Sequence, residues 1–198
     1  MSLPAAIPLK VLLWAGLALP ACYMVPAYAR GEMVYGAFLH WTGEVAAWLL
    51  LFTLALTPIR LLFPRRRWPL LLLRQRRSFG VASFLYAALH TAAYLLRQPW
   101  ARVTKEAVEY GMLAGWIAFA IFMALAATSN DASVRALGRR WQGLHRWVYP
   151  AAALTFAHWV LTAFDPLVGA AHAGALGVIV ALRLGAAKRI SDRFSRPR

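Results

Sequence analysis

The chain has 198 residues, 61% of them hydrophobic, and a mean hydropathy of +0.55, which is too apolar for an ordinary soluble domain and places it in the membrane class. Its net charge of +15 lies in short basic runs between apolar segments, not in a stripe interleaved with exposed aromatics, and this excludes nucleic acid as a partner. Spans of about 20 residues each use nearly the whole length, leaving no segment for a soluble catalytic domain or a nucleotide-binding fold.

Six apolar segments are bounded by charges: 7–29, 39–63, 79–96, 110–128, 141–164 and 171–187. The first has only Lys10 as a basic flank and runs past Tyr28, so it reads as a transmembrane helix rather than a signal peptide. It carries the single cysteine, Cys22, expected to be a small buried hydrophobe. One cysteine excludes an internal disulfide and a four-cysteine iron–sulfur cluster, and no Cys-x-x-Cys-His is present to attach a c-type heme. Short connections favour antiparallel neighbours. The expected fold is therefore all-α, an integral membrane bundle of about six transmembrane helices forming one domain over 1–198.

One side of this bundle collects Arg65, Arg66, Arg67, Arg74, Arg76, Arg77, Arg135, Arg139, Arg140 and the C-terminal run Lys188, Arg189, Arg193, Arg196 and Arg198. The other has Arg30, Arg97, Arg102 and Lys105 mixed with Glu32, Glu106, Glu109 and Asp165. Basic residues accumulate on the cytoplasmic side, so both termini are expected there. Membrane anchoring explains the arginines; holding the phosphate of a flavin is the competing reading.

Chemistry is sought at the ionisable residues within spans, because their burial in lipid is costly. His90 lies 13 residues after Arg77 and 7 before Arg97; His158 lies 12 after Arg146 and 7 before Asp165. Both helices run outward, so the two imidazoles reach similar depth toward the outer side, an arrangement suited to axial ligation of one b-type heme. Ala87, Ala88, Ala92, Ala93 and Ala157 would let a flat macrocycle approach, although close helix packing explains them equally. Structural hydrogen bonding and a proton relay are the alternatives for the histidines themselves.

His145 shares the fifth segment with His158, about 20 Å away along a continuous helix, which suits a second, cytoplasmic-side redox site. The two would point roughly 140° apart unless Pro150 bends the helix, and no other histidine lies near that side, so interfacial anchoring beside Arg146 and Trp147 stands beside the cofactor reading. His40 and His172 open their helices on the outer side and are expected at the interface. Glu44, one turn after His40, is the only acid well inside a span; it either pairs with His40 or handles protons near a hydroxyl or a quinone.

Three stretches carry a family resemblance: His40-Trp41-Thr42-Gly43 followed by Leu54-Ala55-Leu56-Thr57-Pro58; Arg76-Arg77-Ser78-Phe79-Gly80 followed by Leu89-His90; and Leu125 to Ser129 followed by Leu137-Gly138-Arg139-Arg140-Trp141-Gln142-Gly143-Leu144-His145-Arg146-Trp147-Val148-Tyr149, with His158 thirteen residues after His145. Over about residues 9 to 190 the chain resembles the MsrQ (YedZ) family, heme-binding membrane subunits of bacterial methionine sulfoxide reductase systems, within the ferric-reductase-like transmembrane superfamily. The resemblance implies an inner-membrane electron-transfer subunit with heme b and FMN. Such a subunit takes electrons from the respiratory quinone pool or a cytosolic flavin reductase and gives them to a periplasmic molybdopterin-dependent methionine sulfoxide reductase, whose catalysis repairs oxidised proteins. It carries over His90, His145 and His158 as the heme histidines. Where relatives often have Arg-Pro-Tyr, this chain has Val108-Glu109-Tyr110, which bears on partner docking. A small transporter or proton channel with a histidine relay is the rival reading; such spans more often carry broken helices and further buried acids.

Overall fold

The computed structural model describes residues 9–163 and 165–194, with side chains described as far as Gly185 in the last helix. The chain ends, Phe164 and the side chains of Lys188, Arg189, Arg193, Arg196 and Arg198 lie outside the described residues. Among those described there are ten helices and no strand: α1 (Leu9–Ala29), α2 (Tyr35–Leu62), α3 (Trp68–Arg74), α4 (Arg76–Arg97), α5 (Trp100–Glu106), α6 (Tyr110–Ala127), α7 (Asp131–Leu137), α8 (Arg139–His145), α9 (Val148–Thr162) and α10 (Pro166–Phe194). Five of them (α1, α2, α4, α6 and the Pro166–Gly185 part of α10) are long and apolar enough to cross a membrane. With α9 as a shorter sixth member, the all-α multi-pass bundle expected from the sequence is the fold observed.

The fifth segment departs from expectation. It is not one helix from Trp141 but two, broken between His145 and Val148. Pro150 is the third residue of α9. A proline there lacks an N–H that would have no intrahelical acceptor in any case, so it starts the helix rather than bending it. His145 and His158 therefore do not share a helix. The 15 residues of α9 reach about 22 Å, short for a span; α7 and α8 complete the connection at one end. The turn between them is made at Gly138, whose φ of +52° is in the region that favours glycine.

Packing closes α2, α4, α6, α9 and α10 into a ring: α2 lies on α4, α4 on α6, α6 on α9, α9 on α10, and α10 back on α2, with α1 outside against α2 and α4. One core cluster joins Leu50, Leu51 and Leu54 of α2 to Ala152 and Phe156 of α9 and Leu176 of α10; a second joins Met24 of α1, Phe38 and Ala46 of α2, and Tyr86 and Ala93 of α4. Large apolar side chains such as Leu19, Leu85 and Ile117 stay exposed while small ones such as Ala82, Ala118, Ala151 and Ala152 are buried at the interfaces, as expected where lipid is the outer solvent. Cys22, expected inside, is exposed on α1, because α1 meets the ring on one side only.

Candidate functional site

Because consecutive long helices alternate in direction, the start of α2, the end of α4, the start of α6, the end of α9 and the start of α10 share one end of the bundle. His90 and His158 are both there, on α4 and α9. His90 Nδ1 is 2.9 Å from the carbonyl oxygen of Leu39 on α2, and His158 Nδ1 is 2.8 Å from that of Gly111 on α6. A carbonyl only accepts, so in each ring Nδ1 carries the proton and donates it. That fixes the tautomer and leaves the Nε2 lone pair for a metal, the arrangement usual around metal-bound histidine.

Both sites are built in the same way. A helical carbonyl at position i is normally overhung by the side chain at i+4, since Cβ atoms lean toward the helix N-terminus. Here i+4 is Gly43 for Leu39 and Gly115 for Gly111. A Cβ on Gly43 would stand 3.0 Å from His90 Nδ1, and one on Gly115 would stand 2.7 Å from His158 Nδ1. Each imidazole thus lies in the gap left by a missing methyl and reaches the carbonyl behind it. A Cβ on Gly111 would meet Thr162 Cγ2 at 2.7 Å, so the Gly-x-x-x-Gly spacing of α6 also sets the close approach to α9.

The sequence around the histidines points to its neighbouring alanines as the small residues, but glycines of the facing helices fill that role. Ala92 and Ala157 are exposed, and Ala87 and Ala93 pack in the cluster with α1 and α2. The available signal was the Gly111-x-x-x-Gly115 spacing in an apolar helix.

His145 is brought to neither of these rings. At the opposite end of the bundle its Nε2 is 3.1 Å from Thr128 Oγ1, and its ring stacks on Trp141 with centroids 3.9 Å apart; Trp141 Nε1 donates to the Thr128 carbonyl at 2.9 Å. The Thr-Ser and Arg-Arg-Trp…Leu-His stretches are thereby one unit. Burial, and then the charge of nearby Arg76, hold the His145 pKa below its ordinary value. The Arg183 guanidinium lies 5.0 Å over the Tyr149 ring and within Coulombic reach of Arg76 and Arg146. The Tyr149 hydroxyl is buried with no partner. This end is a basic cluster with a histidine and an unpaired hydroxyl.

The other two histidines also find places. His40 Nε2 lies 2.9 Å from Glu44 Oε2, the pairing the sequence suggested, with 49% of its side chain exposed. His172, expected at a helix mouth, is instead the seventh residue of α10, because that helix begins five residues earlier than the apolar pattern indicated; it is only 5% exposed. At the same end Tyr94 donates to Glu106 at 2.8 Å, and Arg102 also bonds that carboxylate, fastening α5 to α4.

A multi-pass helical ring with a histidine on each of two helices at one end, each seated on a glycine of a neighbouring helix, is the class of a ferric-reductase-like membrane protein, and the family described as ferric reductase like transmembrane component matches residues 42–156. The protein-methionine-sulfoxide reductase heme-binding subunit MsrQ of Xanthomonas campestris pv. campestris (strain B100) is 36% identical over 166 residues, 80% of this chain and 74% of the relative. The protein of the same name from Rhodospirillum rubrum is 33% identical over 196 residues, 91% and 89% of the two chains. That from Xanthomonas axonopodis pv. citri (strain 306) is 37% identical over 159 residues, 78% and 70%. The chain belongs to the family of MsrQ heme-binding subunits. No solved structure matches it.

Proposed function

We propose that the chain is the membrane electron-transfer subunit of a methionine sulfoxide reductase system, with a b-type heme held between Nε2 of His90 and Nε2 of His158. The observation that carries this is the shared construction of the two sites: Nδ1 fixed on a neighbouring carbonyl, the ring seated on a glycine, Nε2 left free. Bound there, the heme would supply a one-electron carrier closed to further ligands, suited to electron transfer rather than oxygen chemistry. The protein's own contribution is to fix both tautomers and ring planes and to exclude water.

Electrons enter, in this reading, from the quinone pool or a cytosolic flavin reductase and leave to a periplasmic molybdopterin-dependent catalytic subunit, at the end where His90 and His158 sit. The opposite end faces the cytoplasm of the inner membrane. His145 with Arg76, Arg146, Arg183 and Tyr149 is the place there for a second redox group. Cations and an unpaired hydroxyl match the phosphate of FMN, and the free Nδ1 of His145 is the candidate ligand for a heme.

The deciding experiment is a visible absorption spectrum of purified protein expressed with heme available, oxidised and then reduced. The expected result is a b-type low-spin spectrum; a colourless, folded preparation overturns the reading.

A further inference from the structure

Among the described residues His172 Nε2 is a buried nitrogen without a hydrogen-bond partner. Its Nδ1 donates to the Val168 carbonyl of its own helix at 2.8 Å. The same argument as for His90 and His158 then makes Nε2 an unprotonated acceptor. Leaving a buried acceptor unpaired carries the full desolvation cost of that nitrogen, so something should use it.

The ring lies between Trp159 of α9, 4.6 Å between centroids, and Trp48 of α2, 4.7 Å. Trp48 is 56% exposed on the outer surface of the bundle, and its indole N–H is 3.4 Å from Glu44 Oε1. Glu44 is in turn bonded to half-exposed His40. One lipid-facing indole therefore covers a buried imidazole acceptor and occupies a carboxyl at the same time. If that side chain swings into the lipid, both acceptors are uncovered together, and the vacated slot is flat, aromatic-walled and open to the membrane.

We propose that this slot, beneath Trp48 and between α2 and α10, binds a membrane-borne dihydroxy-aromatic reductant of the quinol class, with His172 Nε2 and the Glu44 carboxyl taking its two hydroxyl protons. A flat ring replaces the indole, and two hydroxyls at its ends meet the two acceptors. In the reaction both O–H bonds break, one proton going to His172 and one to Glu44. The two C–O bonds become carbonyls, and two electrons leave one at a time to the heme of the preceding reading, on which this step rests. Trp159, one wall of the slot, is the residue after His158, so the slot and the proposed heme site share α9. The pairing of Glu44 with exposed His40 gives the carboxyl's proton a route to the outer water.

The test uses the full chain in lipid nanodiscs, with an azido-ubiquinone photoprobe and a short-chain ubiquinol as reductant. The probe is expected to label peptides containing Trp48 and His172, and Trp48→Ala to increase that labelling. His172→Leu and Glu44→Gln should slow heme reduction by the ubiquinol about tenfold, the loss of one buried hydrogen bond, while the heme spectrum and reduction by dithionite stay as in the parent. His172→Gln, which keeps an acceptor, should recover part of the rate. Labelling confined to other helices, reduced labelling in Trp48→Ala, ubiquinol rates within twofold of the parent, or loss of the low-spin spectrum in His172→Leu would each overturn the site. A parent chain that binds no heme would sink the electron-transfer reading alone, since photolabelling still decides where the quinone binds.

Discussion

At the scale of single residues, the discriminating feature is a missing methyl. Gly43 and Gly115 each leave room for an imidazole to reach a helical carbonyl. Gly115→Ala places a Cβ 2.7 Å from His158 Nδ1, closer than such atoms come, so the ring or the α6–α9 approach must shift. The expected outcome is loss of most bound heme, measured as heme per protein. Gly177→Ala, where a Cβ meets nothing within 4 Å, should retain it and gain the few tenths to ~1 kcal/mol of helix propensity. The two histidines should also fail as a unit. His90→Ala and His158→Ala are each expected to remove the low-spin signal in electron paramagnetic resonance, with the double variant little worse than either, because groups that share one partner are not additive. Independent, additive losses would mean that they hold different irons.

At the scale of elements, α1 is held by an unusual bond. Pro20 has no N–H, which opens the helix around it. The Tyr86 hydroxyl of α4 enters there, accepting from the Ala21 N–H at 3.0 Å and donating to the Leu17 carbonyl at 2.8 Å. Tyr86→Phe removes both bonds while keeping the ring, and is expected to cost about 1–2 kcal/mol, read as a lowered thermal midpoint in detergent with heme content unchanged. An unaltered midpoint would show that water satisfies the kink instead. Such contacts explain what could be read in the sequence and what could not. The helices bounded by charges were legible because hydropathy and charge report the solvent, lipid or water, directly. The break between α8 and α9 was not, since 141–164 is continuously apolar enough to read as one span and Pro150 looks the same inside a helix as in its first turn. His172 sits deeper than its apolar run implies for a different reason: Asp165, whose carboxylate accepts from the Leu167 N–H at 2.9 Å, and Pro166 start α10 five residues before that run, and hydropathy does not register a helix-start signal. That His90 and His158 share one end of the bundle was readable from spacing, but the seating of their rings depends on glycines of other helices, which no local pattern around the histidines reveals.

At the scale of the whole molecule, the two ends of the bundle differ in chemistry. The end with His90, His158, Glu44 and His172 has balanced charge; there Arg102, and then the Tyr94 hydroxyl, hold the Glu106 carboxyl below the usual range, so α5 keeps its ion pair through neutral pH. The other end carries Arg65, Arg66, Arg67, Arg76, Arg77, Arg139 and Arg140 together with Thr128, Trp141 and His145, with Asp131 paired to Arg77 at 2.6 Å. Such asymmetry orients a membrane protein with its basic end in the cytoplasm. In the proposed orientation the histidine pair lies near the periplasmic surface, where a partner could accept electrons. The orientation can be tested without touching either site. In a Cys22→Ser background, needed because Cys22 is exposed on α1, single cysteines are placed at Val108, before α6, and at Ser133, on α7. A membrane-impermeant thiol reagent added to intact cells is expected to label Val108→Cys and to reach Ser133→Cys only after the membrane is opened. The reverse pattern would turn the bundle over, placing the histidine pair on the cytoplasmic side and the basic cluster outside, and electron delivery to a periplasmic partner would lose its structural basis.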